Sequence, residues 1–119
     1  MKATTPFNNR SIVGDVAFFD VGDGIVARVT IVHDDFATQD VVYADSDILG
    51  QPYSEEDREA FARGDREFVG VTVELERDGW KKSRFQGLWG IEVDWSQDNS
   101  PHLNECAADV VSWALDETL

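Results

Sequence analysis

The segment from residue 68 to residue 95 constrains the fold more than any other part of the chain. It reads FVGVTVELERDGWKKSRFQGLWGIEVDW. Apolar side chains occupy every second position from Val69 to Leu75, which is typical of a strand with one buried face. Asp78 and Gly79 follow as a turn signal, and a second strand candidate runs from residue 82 to about 91. The segment therefore predicts an antiparallel hairpin.

Two loop lengths are compatible with this hairpin, and they predict different registers. A three-residue loop, 78–80, pairs Val73 with Phe85 on the apolar face. It also pairs Glu74 with Arg84 on the polar face. A two-residue loop would instead set Val73 against Arg84. Because cross-strand pairs contribute about 0.2–1 kcal/mol each, we expect the three-residue register.

Residues 12–32 predict a second hairpin. Its turn lies in the aspartate- and glycine-rich stretch 20–24. Its second strand alternates, with Ile25, Ala27, Val29 and Ile31 on one face. Residues 1–11 are polar and indicate a loose or edge segment, and residues 41–43 form a short apolar stretch that fits a third or edge strand.

Two helices are predicted from start and stop signals. Ser54 is a good N-cap and Gly64 a natural stop, which gives a helix at about 55–63. A second helix, at about 101–117, places apolar residues on one stripe: Leu103, Cys106, Ala107, Val110, Val111, Ala114 and Leu115. We therefore expect a single α+β domain, residues 1–119, with a mostly antiparallel sheet of four to five strands and both helices on one face.

The charge of the chain is large and unevenly distributed. The formal net charge is −14. Residues 29–57 hold eight acids and residues 85–119 hold seven, and neither window contains a lysine or arginine. A charge that served solubility alone would not need this segregation. Acidic surfaces repel nucleic acid and anionic membranes and favour basic partners.

These acids predict a surface that mimics DNA. Duplex DNA carries about one negative charge per 1.7 Å of axis, and proteins that bind it present grooves of lysine and arginine. A rigid fold with many carboxylates can occupy such a groove. The alternative is a solvated acidic surface with no partner. The candidate partner-binding residues are Asp34, Asp35, Asp40, Asp45, Asp47, Glu55, Glu56, Glu105, Asp109 and Asp116.

The chain offers little to suggest catalysis or a cofactor. Its two histidines, His33 and His102, lie far apart and lack a second ligand at metal-binding spacing. Cys106 is on the apolar stripe of a predicted helix, which indicates a buried structural thiol. Glu92 and Asp94 could pair as acid and base, but surface carboxylates need no such role in so acidic a chain. We expect a protein that is not an enzyme and binds no metal or cofactor.

Part of the sequence resembles a known group of proteins. Phe68-Val-Gly-Val, then Gly87-Leu-Trp-Gly-Ile-Glu-Val-Asp94, then an acidic helix resemble small acidic proteins of unassigned function from actinobacteria-type genomes, phages and mobile elements. The likeness covers about residues 64–119, and GLWGIE is its distinctive core. Val93-Asp94-Trp95 departs from the serine- and aspartate-rich run of the group. The resemblance implies a phage or plasmid setting, where anti-CRISPR and anti-restriction proteins have similar size and charge.

Together these observations predict a non-enzymatic inhibitor of a host nucleic-acid-targeting defence system. It would lie in the host cytoplasm, since the first residues lack an apolar signal core. Its partner would be a basic nucleic-acid-binding defence protein or complex, without direct contact to nucleic acid or membrane, and a homodimer is left open. The alternative is an acidic structural or scaffold protein of a phage or mobile element with no mimicry.

Overall fold

A computed structural model describes residues 2–34 and 53–118, which form a five-stranded antiparallel sheet with two helices. The predicted α+β class is confirmed. The strands lie side by side in chain order, each antiparallel to its neighbours. The elements are β1 (Lys2–Thr5), β2 (Val16–Gly22), β3 (Ile25–His33), α1 (Glu55–Arg63), β4 (Arg66–Arg77), β5 (Trp80–Asp94) and α2 (Ser100–Thr118).

One face of the sheet, which we call the core face, carries the main hydrophobic core. Val29 of β3 lies opposite Val73 of β4, and Ile31 lies opposite Val71. All four are buried, as the alternation in the sequence predicts. Helix α2 covers this face with its apolar stripe. Leu103, Cys106, Ala107, Val110, Val111 and Ala114 are buried and Leu115 is half-buried, which confirms that prediction.

Helix α1 begins and ends where its capping residues predict. The Ser54 side chain accepts a hydrogen bond from the backbone N–H of Asp57 at 3.1 Å. Gly64 has a φ of 79°, the left-handed conformation that ends a helix at little cost for glycine. The helix then leads after one further residue into β4.

Helix α1 packs on the opposite face of the sheet, which we call the outer face. Its Phe61 ring stacks on Phe68 with centroids 5.5 Å apart. Phe68 precedes the core-face residue Val69, so its side chain lies on the other side of β4. The expectation that both helices share one face is therefore wrong in this detail. The apolar stripe of α2 covers the core face, and Phe61 of α1 packs against Phe68 on the outer face.

The β4–β5 hairpin has a two-residue turn, so the predicted three-residue register is wrong. Arg77 lies opposite Trp80, and Asp78 and Gly79 between them have φ values of 52° and 84°. Turns with two positive φ values match the twist of the flanking strands. Two irregularities further along β5 then shift its pairing with β4. A regular two-residue alternation of side chains therefore does not predict the register of the whole hairpin.

The irregularity nearer α2 lies within the GLWGIE segment. Between the pairs Val71–Leu88 and Val69–Ile91, the single β4 residue Gly70 lies opposite two residues of β5, Trp89 and Gly90. Gly90 has a φ of 74°, as expected of glycine in such a bulge. Trp89 consequently lies against Gly70 instead of opposite Val69, where the three-residue register would place it.

The N-terminal segment combines an edge strand with one buried anchor. All four residues of β1 are exposed at the sheet edge, which agrees with the predicted edge segment. Phe7 is 4% exposed and packs in the main core. The Asn104 side chain holds it, accepting from the Phe7 N–H at 2.8 Å and donating to the Phe7 carbonyl at 3.0 Å. The strand predicted at 41–43 lies outside the described residues.

Candidate protein-binding surface

The exposed face of helix α2 carries three of the predicted carboxylates. Glu105, Asp109 and Asp116 recur at i, i+4 and i+11 and are exposed, while the opposite stripe of the helix is buried. Helix α2 rises about 1.5 Å per residue, so these carboxylates extend over roughly 16 Å. Packing of the buried stripe against the sheet holds the row in place. We call these three residues, with Ser112 and Trp113 between them, the α2 acidic face.

The α2 acidic face differs in its charge pairing from the acids around α1. Arg66 forms ion pairs with Asp57, at 2.7 Å, and with Glu92. Arg63 contacts Asp65 at 2.9 Å. Among residues 2–34 and 53–118, by contrast, Glu105, Asp109 and Asp116 form no ion pair. Their charge is therefore available to a basic partner.

Glu55 and Glu56, two further predicted residues, lie far from this row. Both are exposed in the first turn of α1, which is on the other side of the sheet. Carboxylates at the positive end of a helix stabilise it by about 0.3–1 kcal/mol each. A local structural role therefore accounts for these two residues. A partner that covers the α2 acidic face would not reach them without wrapping around the sheet.

Asp34 has a structural position, which contradicts its prediction as a surface contact. The residue is 8% exposed. Its Oδ2 atom accepts a hydrogen bond from the Gly90 N–H at 2.8 Å, and its own N–H donates to the Phe68 carbonyl at 3.0 Å. Asp34 thus connects the end of β3 to β4 and to the bulge of β5. The other predicted acids of this region, Asp35, Asp40, Asp45 and Asp47, lie outside the described residues.

The different positions of Asp34 and Asp109 predict different responses to the same substitution. Asp34→Asn should lower the free energy of unfolding by about 1 kcal/mol, because the part-buried hydrogen bond from the Gly90 N–H to a charged acceptor becomes a hydrogen bond to a neutral one. Asp109→Asn should leave stability nearly unchanged, since its carboxylate is exposed. Urea denaturation of both variants measures the difference. Equal losses would show that Asp34 has no special structural role.

Trp113 is a member of the α2 acidic face that the sequence analysis did not identify. It is 45% exposed and lies between Asp109 and Asp116, four residues after the first and three before the second. The signal was present, because i+4 from Asp109 falls on the same helix face. An exposed tryptophan with carboxylates on either side adds a large apolar contact to a charged surface.

The GLWGIE segment serves the structure of the sheet. A Cβ atom built on Gly70 would lie 2.4 Å from the Trp89 ring, and one on Gly87 would lie 3.1 Å from its Nε1 atom. The indole therefore lies against two glycines on the outer face. Gly90 adopts the positive φ of the bulge, and its N–H donates a hydrogen bond to the Asp34 carboxylate. These contacts explain Gly87, Trp89 and Gly90 of the GLWGIE segment without a ligand.

Cys106 and the histidines show no arrangement for nucleophilic or metal chemistry. Burial, reinforced by the carboxylates of Asp109 and Glu105, raises the pKa of the Cys106 thiol. The thiolate is therefore disfavoured at neutral pH, and the thiol is a poor nucleophile. His102 Nε2 lies 3.9 Å from the sulfur. Within the described ranges, no group of three or more His, Cys, Asp or Glu residues could hold a metal ion.

A cavity of about 420 Å³ opens between the end of α1 and the end of β5. Its lining includes Arg63, Arg66, Asp94 and Trp95. Both arginines already bond carboxylates, and Asp94 accepts two hydrogen bonds from Ser96, which lower the pKa of its carboxyl. Both arginines and Asp94 therefore already have polar partners.

Comparisons with known proteins assign no family to this chain. A scan against protein-family models, a search of curated proteins and a search of solved structures each found no match. Neither of the two described helices combines the length and the apolar character needed to cross a membrane. The α2 acidic face is the candidate binding surface that the geometry of the molecule supports best.

Proposed function

We propose that this chain is a non-enzymatic inhibitor from a phage or mobile element. In this proposal it binds the basic nucleic-acid channel of a host defence complex, of the anti-CRISPR or anti-restriction type, in the host cytoplasm. The observation that carries the proposal is the α2 acidic face, where three exposed carboxylates without an ion pair among the described residues stand on a helix anchored to the core.

The rigidity of this face favours binding. Six residues of the opposite stripe are buried at 5% exposure or less, so the helix backbone is already ordered before a partner arrives. Association then costs little additional ordering of the backbone, and charge complementarity contributes to the rate and specificity of binding.

The charge density of the face limits how far mimicry can extend. Three carboxylates occupy roughly 16 Å of the helix axis, at about 1.5 Å per residue. One strand of duplex DNA places about five phosphates in that length, at about 3.4 Å each. The face therefore replaces only part of a phosphate row. We propose that it neutralises a few cations of the channel, with Trp113 adding apolar contact area.

Removing charge from opposite sides of the sheet tests the proposal. Asp109→Asn with Asp116→Asn and the control Glu55→Gln with Glu56→Gln each change the net charge by the same amount. We expect the first pair to weaken target binding by about tenfold or more, equivalent to about 1.4 kcal/mol, and the control pair to change it little. Capture from host lysate at low and high salt, with added DNA as competitor, identifies the target on which affinity is then measured.

The results of that experiment separate the two functions under consideration. A basic nucleic-acid-binding complex that is captured at low salt and displaced by DNA supports mimicry. Equal effects of the two pairs would mean that net charge acts without a defined face, and the proposal would fail. A scaffold protein is the second candidate, because Trp80, Trp89 and Val26 are exposed at 83%, 51% and 40%. It would capture partners that neither salt nor DNA displaces.

A further inference from the structure

The tip of the β4–β5 hairpin differs in charge from the rest of this acidic molecule. Residues 77–84 contain four of the ten lysines and arginines of the chain and one acid, Asp78. Leu75 is the last buried residue of β4, and residues 76–81 are all exposed. The tip thus extends beyond the core, and its exposed residues 76–81 balance two cations, Arg77 and Lys81, against two acids, Glu76 and Asp78, on a protein whose net charge is −14.

Trp80 makes this tip a candidate contact surface. Its side chain is 83% exposed, more than any other large apolar side chain among the described residues. It lies directly opposite Arg77 across the two-residue turn, so that both side chains are on the same face of the hairpin. Lys81 follows and is exposed, but it lies opposite Glu76 on the other face of the hairpin. An exposed tryptophan beside a cation is costly to leave in water and well suited to a complementary surface.

The α2 acidic face has the complementary composition. Trp113 is exposed there between Asp109 and Asp116, whereas Trp80 is exposed at the tip opposite Arg77. The α2 acidic face therefore combines one aromatic ring with carboxylates, and the Trp80 face of the tip combines one aromatic ring with the Arg77 guanidinium. Arginine can bond a carboxylate through two parallel N–H donors, and two indoles can stack with an offset.

We infer that the hairpin tip of one molecule docks on the α2 acidic face of a second copy. The exposure of Trp80 and Trp113 shows that the two surfaces do not satisfy each other within one molecule. The contact joins different surfaces of the two copies, so each dimer retains one free tip and one free face, and association can continue. This inference does not require the proposed inhibitor function.

The contact is weak and sensitive to competition. A hairpin tip on one helix face buries less than the area of about 1,200 Å² typical of stable complexes. We expect a dissociation constant on the order of 0.1–1 mM. The long-range repulsion between two acidic molecules is screened at physiological ionic strength, where the Debye length is about 8 Å. A basic target that binds the same face displaces the second copy.

Complementary variants test the inference by sedimentation velocity at physiological ionic strength. The tip variant combines Arg77→Glu with Trp80→Ala, and the face variant combines Asp109→Lys with Trp113→Ala. All four residues are exposed, and circular dichroism verifies that both variants fold. We expect the unaltered protein to associate with increasing concentration and each variant alone to associate at least about tenfold more weakly.

The mixture of the two variants gives the decisive result. The face variant retains an intact tip, and the tip variant retains an intact face, so an equimolar mixture should form heterodimers that grow no further. A mixture that stays monomeric would overturn the inference. So would a monomeric unaltered protein at about 1 mM, or a tip variant that associates normally. A tip variant that associates normally but loses binding of the unaltered protein to a single-stranded oligonucleotide would assign the tip to nucleic acid instead.

Discussion

Replacing Asn104 with alanine is expected to lower the free energy of unfolding by about 2–4 kcal/mol. The Asn104 side chain makes two hydrogen bonds, at 2.8 and 3.0 Å, to the backbone of Phe7, which is 97 residues away in the chain. Without it, a partly buried N–H and a carbonyl both lose their partner. The core anchor Phe7 also loses the contact that fixes its backbone. Urea denaturation measures the loss.

Three further variants test whether this effect comes from the two hydrogen bonds. Asn104→Asp preserves an acceptor for the Phe7 N–H but removes the donor to its carbonyl, so about half of the loss is expected. Ser112→Ala, at an exposed position of the same helix, should change stability little. Phe7→Ala keeps the backbone N–H and carbonyl that Asn104 bonds. If the losses from Asn104→Ala and Phe7→Ala are fully additive, then Asn104 does not act by positioning the Phe7 ring, because coupled neighbours deviate from additivity.

Replacing Gly70 with valine should destabilise the protein by about 2–4 kcal/mol, because the new side chain displaces the Trp89 indole of β5 from its contact with Gly70 of β4. A Cβ atom at this position would lie 2.4 Å from the Trp89 ring, a distance that real contacts do not show. The ring is half-exposed and can rotate into solvent. Denaturation gives the energy, and a red shift of tryptophan fluorescence reports the greater exposure of the ring.

The same substitution should change sign when Trp89 is absent. A Trp89→Ala background removes the three atoms nearest to a Cβ at Gly70, because all three belong to that ring. Valine favours strands over glycine by up to about 1 kcal/mol, so Gly70→Val should then stabilise the protein. An equal loss in both backgrounds would show that the effect arises from the backbone of β4 and not from the indole.

The candidate surface could be predicted only in part. The carboxylates at 105, 109 and 116 lie on one exposed face, as helical periodicity predicts, because a helix repeats at a fixed angle per residue. Asp34 has the same residue type and a similar acidic context, yet it is buried. Its role depends on the Gly90 N–H, which is 56 residues away in the chain and made available by a bulge. Local sequence contains no information about such a contact.

The register of the β4–β5 hairpin shows a similar limit. Cross-strand pairs favour a three-residue loop only if both strands are regular. Strand β5 is not regular, because it contains two irregularities. The two-residue turn is then compatible with both the twist of the strands and the apolar alternation of β4. Gly90 was visible in the sequence, but a glycine within a strand does not by itself specify where the extra residue lies.

The features that short-range physics controls can be predicted from the sequence. The apolar alternation of β3 and β4, the stripe of α2, the Ser54 cap and the Gly64 stop all follow from backbone periodicity and local hydrogen bonding. The tertiary structure alone decided which face α1 occupies, where the strands shift and which acids are buried. These outcomes depend on the groups that distant segments bring into contact, since burial and hydrogen bonding are satisfied across the whole fold.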